Sequence, residues 1–126
     1  MPPAGKLLLG LGALLAAAAV GLGAFGAHAL RGRLGEQALD WWQTAVQYHF
    51  WHALGVIAIG LCVLHFPESR ALRAAGALLV VGCVVFSGSL YALALSGERW
   101  LGAVTPLGGM TLIAGWLVFA WAVLRD

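Results

Sequence analysis

Residues 7–30 of the chain are LLLGLGALLAAAAVGLGAFGAHAL, a run of 24 residues without one Asp, Glu, Lys or Arg. Three further charge-free runs follow at 41–66, 74–97 and 101–124, and they contain 26, 24 and 24 residues. A helix of about 20 apolar residues crosses the hydrocarbon core of a bilayer, so each run is long enough for one transmembrane span. Backbone groups in lipid must be satisfied within their own segment, which predicts that all four spans are helices.

The overall composition excludes a water-soluble globule. The 126 residues are 62% hydrophobic and 10% charged, whereas soluble domains carry about 25% charged residues. The formal net charge of +2, from seven basic and five acidic residues, is too small for the clustered basic face that binds nucleic acid. The sequence therefore predicts an all-α integral membrane protein whose surroundings are the lipid bilayer, with no nucleic-acid partner.

We expect one domain in which four transmembrane helices form one bundle. The predicted spans are about 7–29, 45–66, 74–96 and 106–124. The last span has a clear start signal, because Thr105 suits an N-cap and Pro106 suits the first helical position.

The first span also resembles a signal peptide. Lys6 precedes an apolar stretch, and Ala27, His28 and Ala29 match the small-x-small pattern of a cleavage site. The apolar run nevertheless continues to Leu30, which is long enough to span a bilayer. We therefore expect a transmembrane helix here rather than a cleaved leader.

The connection between spans 1 and 2 has two interpretations. Apolar residues repeat at near-helical spacing between residues 31 and 44. One interpretation is a short interfacial helix with Trp41 and Trp42 at headgroup depth. The other is a simple extension of span 2 into water.

Small residues form a stripe along span 1 at spacings of three and four. Helix association in lipid depends on close packing, which small residues permit. We therefore expect the stripe to face protein. Its members are Ala13, Ala17, Gly21, Ala24 and His28.

Uncharged polar side chains concentrate at one end of the predicted bundle, where spans 1 and 3 end and spans 2 and 4 begin. Polar groups at membrane depth normally face the bundle interior and often mark a site. We therefore expect a polar cluster that is a candidate ligand-binding site. Its residues are His28, Gln47, His49, His52, Ser87, Ser89, Tyr91 and Thr105.

Several chemistries can be weighed for this cluster. His28, His49 and His52 could ligate a metal or haem, but no carboxylate accompanies them within the spans, so hydrogen-bonded histidines are expected and no cofactor is predicted. Nucleophilic catalysis needs a base and a group that orients it, and no acid within a span supplies the latter. We therefore predict no enzyme, while a polar cavity that binds or conducts a small ligand stays open. Cys62 and Cys83 lie in apolar runs and are expected to be buried thiols.

Four segments resemble the small membrane proteins of domain of unknown function 423, a family that includes YgdD of enteric bacteria, YwdK of bacilli and the eukaryotic transmembrane protein 256. The resemblance implies a four-helix integral membrane protein and no particular activity. The family pattern has histidines matching His28 and His52 but usually glutamine in place of His49. The matching segments are GAFGAHAL (23–30), TAVQYHFWHAL (44–54), FSGSLY (86–91) and TPLGG (105–109).

Three functional hypotheses follow from these observations. The first is a non-enzymatic accessory or scaffold protein that packs against a larger membrane complex or against itself, because its 18 glycines are about twice the usual share. The second is an oligomeric channel, carrier or ligand-binding protein that uses the polar cluster. The third is a metal- or haem-binding redox component.

The expected location is the bacterial inner (cell) membrane, with multiple spans and with both termini in the cytoplasm. Four spans place both termini on one side. That side would carry four of the seven Lys and Arg residues, and basic residues favour the cytoplasmic side. The four are Lys6, Arg70, Arg73 and Arg125, against Arg31, Arg33 and Arg99 on the other side.

Overall fold

The computed structural model describes residues 1–125 and consists of long helices joined by short connections. All four long helices have the length and composition needed to cross a membrane. The prediction of an all-α protein with four candidate spans is therefore confirmed. The helices are α1 (Pro3–Phe25), continued by a π-helical turn (Gly26–Leu30), α2 (Glu36–His65), α3 (Arg70–Ser96) and α4 (Trp100–Leu124).

Short local signals define the ends of α3. The Ser69 side chain accepts a hydrogen bond from the Leu72 backbone N–H at 3.2 Å, which caps the first turn. Gly97 follows the last residue with φ +72°, in the left-handed region that glycine adopts without steric penalty. These caps keep the connections on both sides of α3 short.

The fourth helix begins six residues before the predicted start, so the assignment of Thr105 as N-cap is wrong. Pro106 lies inside the helix. A continuous helix satisfies backbone groups of residues 100–105 that lipid would leave without partners, except that Pro106 has no N–H to donate to the Gly102 O. Thr105 Oγ1 lies 3.3 Å from the Leu101 backbone O, one turn earlier in the same helix.

The interpretation of residues 31–44 as a separate interfacial helix is also wrong. Helix α2 begins at Glu36 and continues without a break to His65. The other interpretation, an extension of span 2, is correct. Trp42 is only 3% exposed, and its Nε1–H donates to the Leu22 backbone O at 2.9 Å. Since this indole finds its acceptor on α1, it does not need the headgroup region.

Each helix packs mainly on its neighbour in sequence, so α2 and α3 lie in the middle and α1 and α4 lie outside. Buried aliphatic side chains fill the centre, among them Val56 and Ile59 of α2 and Leu79 of α3. Glycines permit close helix approach: a Cβ at Gly108 of α4 would overlap the backbone of Phe86 on α3.

The small-residue stripe of span 1 does not pack against the rest of the chain, so the expectation that it faces protein is not met within one copy. All five of its residues are exposed. The face that packs on α2 carries Gly5 and Gly12 instead, where added Cβ atoms would meet the Gly60 and Ala53 carbonyl oxygens at 3.2 and 3.1 Å. The α1 helix has small residues on two faces, and α2 occupies only one.

Candidate functional site

The two histidines of α2 are both buried but serve different interfaces. His49 is 6% exposed and faces α3, whereas His52 is 7% exposed and contacts α4. Residues three apart on a helix differ by about 60° in direction, which is enough to place two side chains against different neighbours. They therefore do not form one ligand pair.

Both nitrogens of the His52 ring are hydrogen-bonded, one to α4 and one within α2. Trp116 Nε1–H of α4 donates to His52 Nε2 at 3.0 Å. An indole nitrogen is a donor only, so Nε2 must be the unprotonated nitrogen and Nδ1 must carry the hydrogen. Nδ1–H then donates to the Tyr48 backbone O at 2.7 Å. Both ring nitrogens thus have partners, and His52 is a structural residue.

The predicted hydroxyl groups of α3 and α4 also have hydrogen-bond partners on neighbouring helices. Ser87 Oγ–H donates to the Ala45 backbone O at 2.8 Å and so links α3 to α2. Ser89 and Thr105 lie 2.6 Å apart and link α3 to α4. One consistent assignment has Thr105 donating to Ser89, whose own hydroxyl donates to the Phe86 backbone O at 2.9 Å. These three predicted residues act as contacts between helices.

His49 differs from His52 because one of its ring nitrogens has no hydrogen-bond partner within residues 1–125. Its Nδ1 lies 2.9 Å from the Tyr91 hydroxyl, and the Cys83 thiol approaches its backbone O at 3.7 Å. Within residues 1–125, His49 Nε2 is buried and has no hydrogen-bond partner. Leaving a buried polar atom unpaired costs about 1–3 kcal/mol, so this atom needs an explanation.

A cavity of about 180 Å³ lies beside His49, between α1 and α3. Its lining is mostly apolar. Gly88 and Val84 of α3 are exposed and form its lipid side. The other lining residues are Leu15, His49, Cys83, Ser87 and Tyr91.

His28 and Gln47 do not join the buried polar residues, because both are exposed. His28 lies in the π-helical turn that follows α1. Gln47 lines two adjoining cavities of about 250 and 350 Å³ between α1 and α2. We call these two adjoining cavities between α1 and α2 the outer groove. The predicted cluster is thus divided among contacts between helices, the cavity beside His49 and the outer groove.

The proposed three-histidine ligand set is not assembled. His28 is exposed, and both nitrogens of His52 are already bonded. Among residues 1–125, no three His, Cys, Asp or Glu side chains lie close enough to hold a metal ion. The alternative expectation was that the histidines are hydrogen-bonded. Both ring nitrogens of His52 are bonded, whereas only Nδ1 of His49 is.

Two tryptophans complete the polar network but could not be assigned to it from the sequence. Trp116 is 64 residues from its acceptor His52, and Trp42 is 20 residues from its acceptor Leu22. The available signal was general, since an indole N–H at membrane depth needs an acceptor. The sequence did not show which acceptor each would use.

Comparisons with known proteins give one family. A family described as "Protein of unknown function (DUF423)" matches residues 22–109. A UPF0382 membrane protein of Staphylococcus haemolyticus is 50% identical over 113 residues, which cover 90% of this chain and 91% of that protein. The UPF0382 membrane protein YwdK of Bacillus subtilis is 42% identical over 120 residues, which cover 95% of this chain and 98% of YwdK. No solved structure matches the chain.

Proposed function

The chain belongs to the DUF423 family of membrane proteins, and from this premise we propose that it is a non-enzymatic accessory or scaffold component that assembles through a second copy of itself. One observation carries the proposal: Gln47 is exposed in a groove between α1 and α2 that is also lined by Ala24, one residue of the exposed small-residue stripe of α1. In lipid an exposed amide gains most from a hydrogen bond across a helix interface.

The α1 face is shaped for close approach by another helix. Ala13, Ala17 and Gly21 are exposed at intervals of four residues. A Cβ at Gly21 would meet no atom of the chain within 4 Å, so this glycine is not required by the chain's own packing. Small residues at this spacing let two helix backbones meet, and close packing is a main source of helix association in lipid.

Symmetry favours a second copy as the occupant. Two copies inserted with the same orientation and related by a two-fold axis along the membrane normal bring identical residues together at one depth. An amide is both donor and acceptor, so Gln47 can pair with the same residue of another copy. Ala24 of the α1 stripe lines the same cavity as Gln47, which places both features on one side of the protein.

Association can be measured by energy transfer between donor- and acceptor-labelled copies in lipid vesicles, over a range of protein densities. We expect the wild type to dimerise. Gln47→Leu should weaken dimerisation about 3- to 20-fold, because interhelical hydrogen bonds in membranes contribute about 0.6 and at most about 1.7 kcal/mol. Gly21→Leu should weaken it further by holding the α1 helices apart.

Gly88→Leu is the matched control. Gly88 is also an exposed glycine with no atom within 4 Å of an added Cβ, but it lies on α3. This variant should dimerise like the wild type. A wild-type protein that stays monomeric at every density would refute self-assembly, as would Gln47→Leu and Gly21→Leu variants that dimerise normally.

We further propose that the protein lies in the cell membrane with both termini in the cytoplasm. Four of the seven Lys and Arg residues lie on the side of the termini, and basic residues favour the cytoplasmic side. A reporter active only outside the cytoplasm, fused after residue 126, should be inactive, and the same reporter inserted in the loop between α1 and α2 should be active. The reverse pattern would contradict this orientation.

A further inference from the structure

The atom that needs an explanation is His49 Nε2, which is buried and unpaired within the described part of the chain. The Leu15 backbone carbonyl, on α1, is an acceptor near the His49 ring, but it does not form a hydrogen bond of good geometry with Nε2. The 180 Å³ cavity lies beside this ring. A ligand in the cavity could therefore satisfy the atom that the protein leaves unpaired.

The Tyr91 contact indicates which hydrogen-bonding role that atom has. A phenol is the stronger hydrogen-bond donor of the two groups, so the Tyr91 hydroxyl donates to His49 Nδ1, 2.9 Å away. A neutral imidazole that accepts at Nδ1 carries its hydrogen on Nε2. We assign this tautomer on chemical grounds. The unpaired atom is then an N–H donor, and a protonated nitrogen does not ligate a metal ion.

The size and lining of the cavity favour a mostly apolar ligand. A water molecule occupies about 30 Å³ of liquid volume and needs two to four polar partners. The cavity is about 180 Å³, and the Ser87 hydroxyl on its wall already donates to Ala45 O. Leu15, Val84 and Gly88 supply apolar surface. The space therefore suits an apolar body that carries one hydrogen-bond acceptor.

The position of the cavity indicates that the ligand comes from the hydrocarbon core. Leu15, His49 and Cys83 lie near the midpoints of the first three helices, Pro3–Phe25, Glu36–His65 and Arg70–Ser96. Lipid ester groups lie at the interface, about 15 Å from the bilayer centre. The exposed Gly88 leaves the lipid side of the cavity open. A molecule dissolved among the acyl chains can therefore enter sideways.

We propose that this cavity binds a hydrophobic carbonyl compound of the quinone class, whose carbonyl oxygen accepts the hydrogen bond from His49 Nε2. The flat apolar ring fills the space between Leu15 and Val84. The ligand carbonyl supplies a well-aligned acceptor, which the acyl chains lack and the Leu15 backbone carbonyl does not provide in good geometry. The proposal concerns binding only and does not depend on self-assembly of the chain.

The test uses the full-length protein in nanodiscs of an ether-linked phospholipid, which lacks ester carbonyl groups. Menadione, a quinone without a tail, carries carbon-13 at its carbonyls to separate its infrared band from amide I. It is titrated while this band is recorded, and mass spectrometry of the protein checks that it has not added covalently to the Cys83 thiol. We expect a carbonyl band at lower frequency that saturates at one menadione per chain. Gly88→Leu should remove the saturable band by filling the cavity entrance. Gly21→Leu, an equivalent substitution on α1 away from the cavity, should leave it unchanged.

Two His49 variants test the hydrogen bond itself. His49→Phe keeps an aromatic ring without a donor, so the low-frequency band should disappear and binding should weaken about 3- to 10-fold, as for the loss of one neutral hydrogen bond. His49→Gln keeps an N–H donor and should retain the band. This second variant also shows whether replacing the imidazole alone unfolds the protein.

Three results would overturn the proposal. The first is a carbonyl band that is the same in wild type and His49→Phe. The second is a His49 Nε2–H proton resonance that does not shift when menadione is added but differs between ether- and ester-linked lipids. This result would make a lipid ester the acceptor. The third is an Nε2–H resonance that responds to neither and exchanges with water, which would make the occupant water only.

Discussion

The hydrogen bond between Trp116 and His52 connects α4 to α2, and its removal should destabilise the fold measurably. His52 uses both nitrogens, at 2.7 Å to the Tyr48 O and at 3.0 Å to the Trp116 Nε1. His52→Leu removes both bonds and leaves the indole N–H without its acceptor. Trp116 is 40% exposed, and this exposed surface would face lipid, which offers no replacement acceptor.

The magnitude follows from hydrogen bonds measured in other membrane proteins. Each bond between helices contributes about 0.6 kcal/mol, with a maximum of about 1.7 kcal/mol. His52→Leu removes one such bond, to Trp116, and one bond within α2, to the Tyr48 O four residues earlier. We therefore expect a loss of about 0.6–2 kcal/mol. Trp116→Phe removes one of the two, so its loss should be smaller, about 0.6 kcal/mol plus the packing of the missing ring.

Reversible unfolding in mixed micelles of increasing SDS fraction provides the assay. A double-mutant cycle with His52→Leu, Trp116→Phe and the combined variant isolates the shared bond. The coupling energy should be about 0.6 kcal/mol and not above about 1.7 kcal/mol. If the two changes are additive, the Trp116–His52 bond does not stabilise the fold.

The same unfolding assay tests two other contacts. Gly108→Ala should cost about 1–3 kcal/mol, because the new Cβ would overlap the Phe86 backbone and push α3 and α4 apart. Gly109→Ala is its control, since that Cβ would lie 3.7 Å from the Phe86 ring in ordinary contact, and equal losses at the two positions would contradict the packing argument. Trp42→Phe should cost about 0.6 kcal/mol by removing the bond to Leu22 O, and an unchanged stability would show that this bond is not used.

The number and approximate positions of the spans could be predicted because lipid excludes charge from the hydrocarbon core. The residues at which the helices begin and end could not be predicted in the same way. Helix α2 extends back to Glu36 through polar residues that water tolerates as helix or loop, and α4 extends back past Pro106. In both places apolar side chains of the added turns pack on other helices, Leu39 in the cluster with Leu30 and Leu101 in the cluster with Leu90, and a local pattern does not contain that information.

The polar residues of the site could be identified from the sequence, but not their grouping. Proximity to one end of the spans suggested a single cluster, whereas the structure separates His49 from His52 and leaves Gln47 outside. The direction of each side chain depends on which helix packs there. The same reason explains why the sequence did not show which small residues of α1 are buried. Gly12 and Ala13 are both small, but α2 packs only on the side of the helix that carries Gly12.

The His49 cavity and the outer groove share a chain of aromatic contacts. Tyr91 bonds to His49, and its ring packs 4.7 Å from that of Trp42, which lines the groove beside Gln47. A ligand that reorients His49 would thus act on a side chain touching the wall of the groove. Any coupling must be reciprocal: a change in dimer affinity caused by menadione requires the same change in menadione affinity on dimerisation.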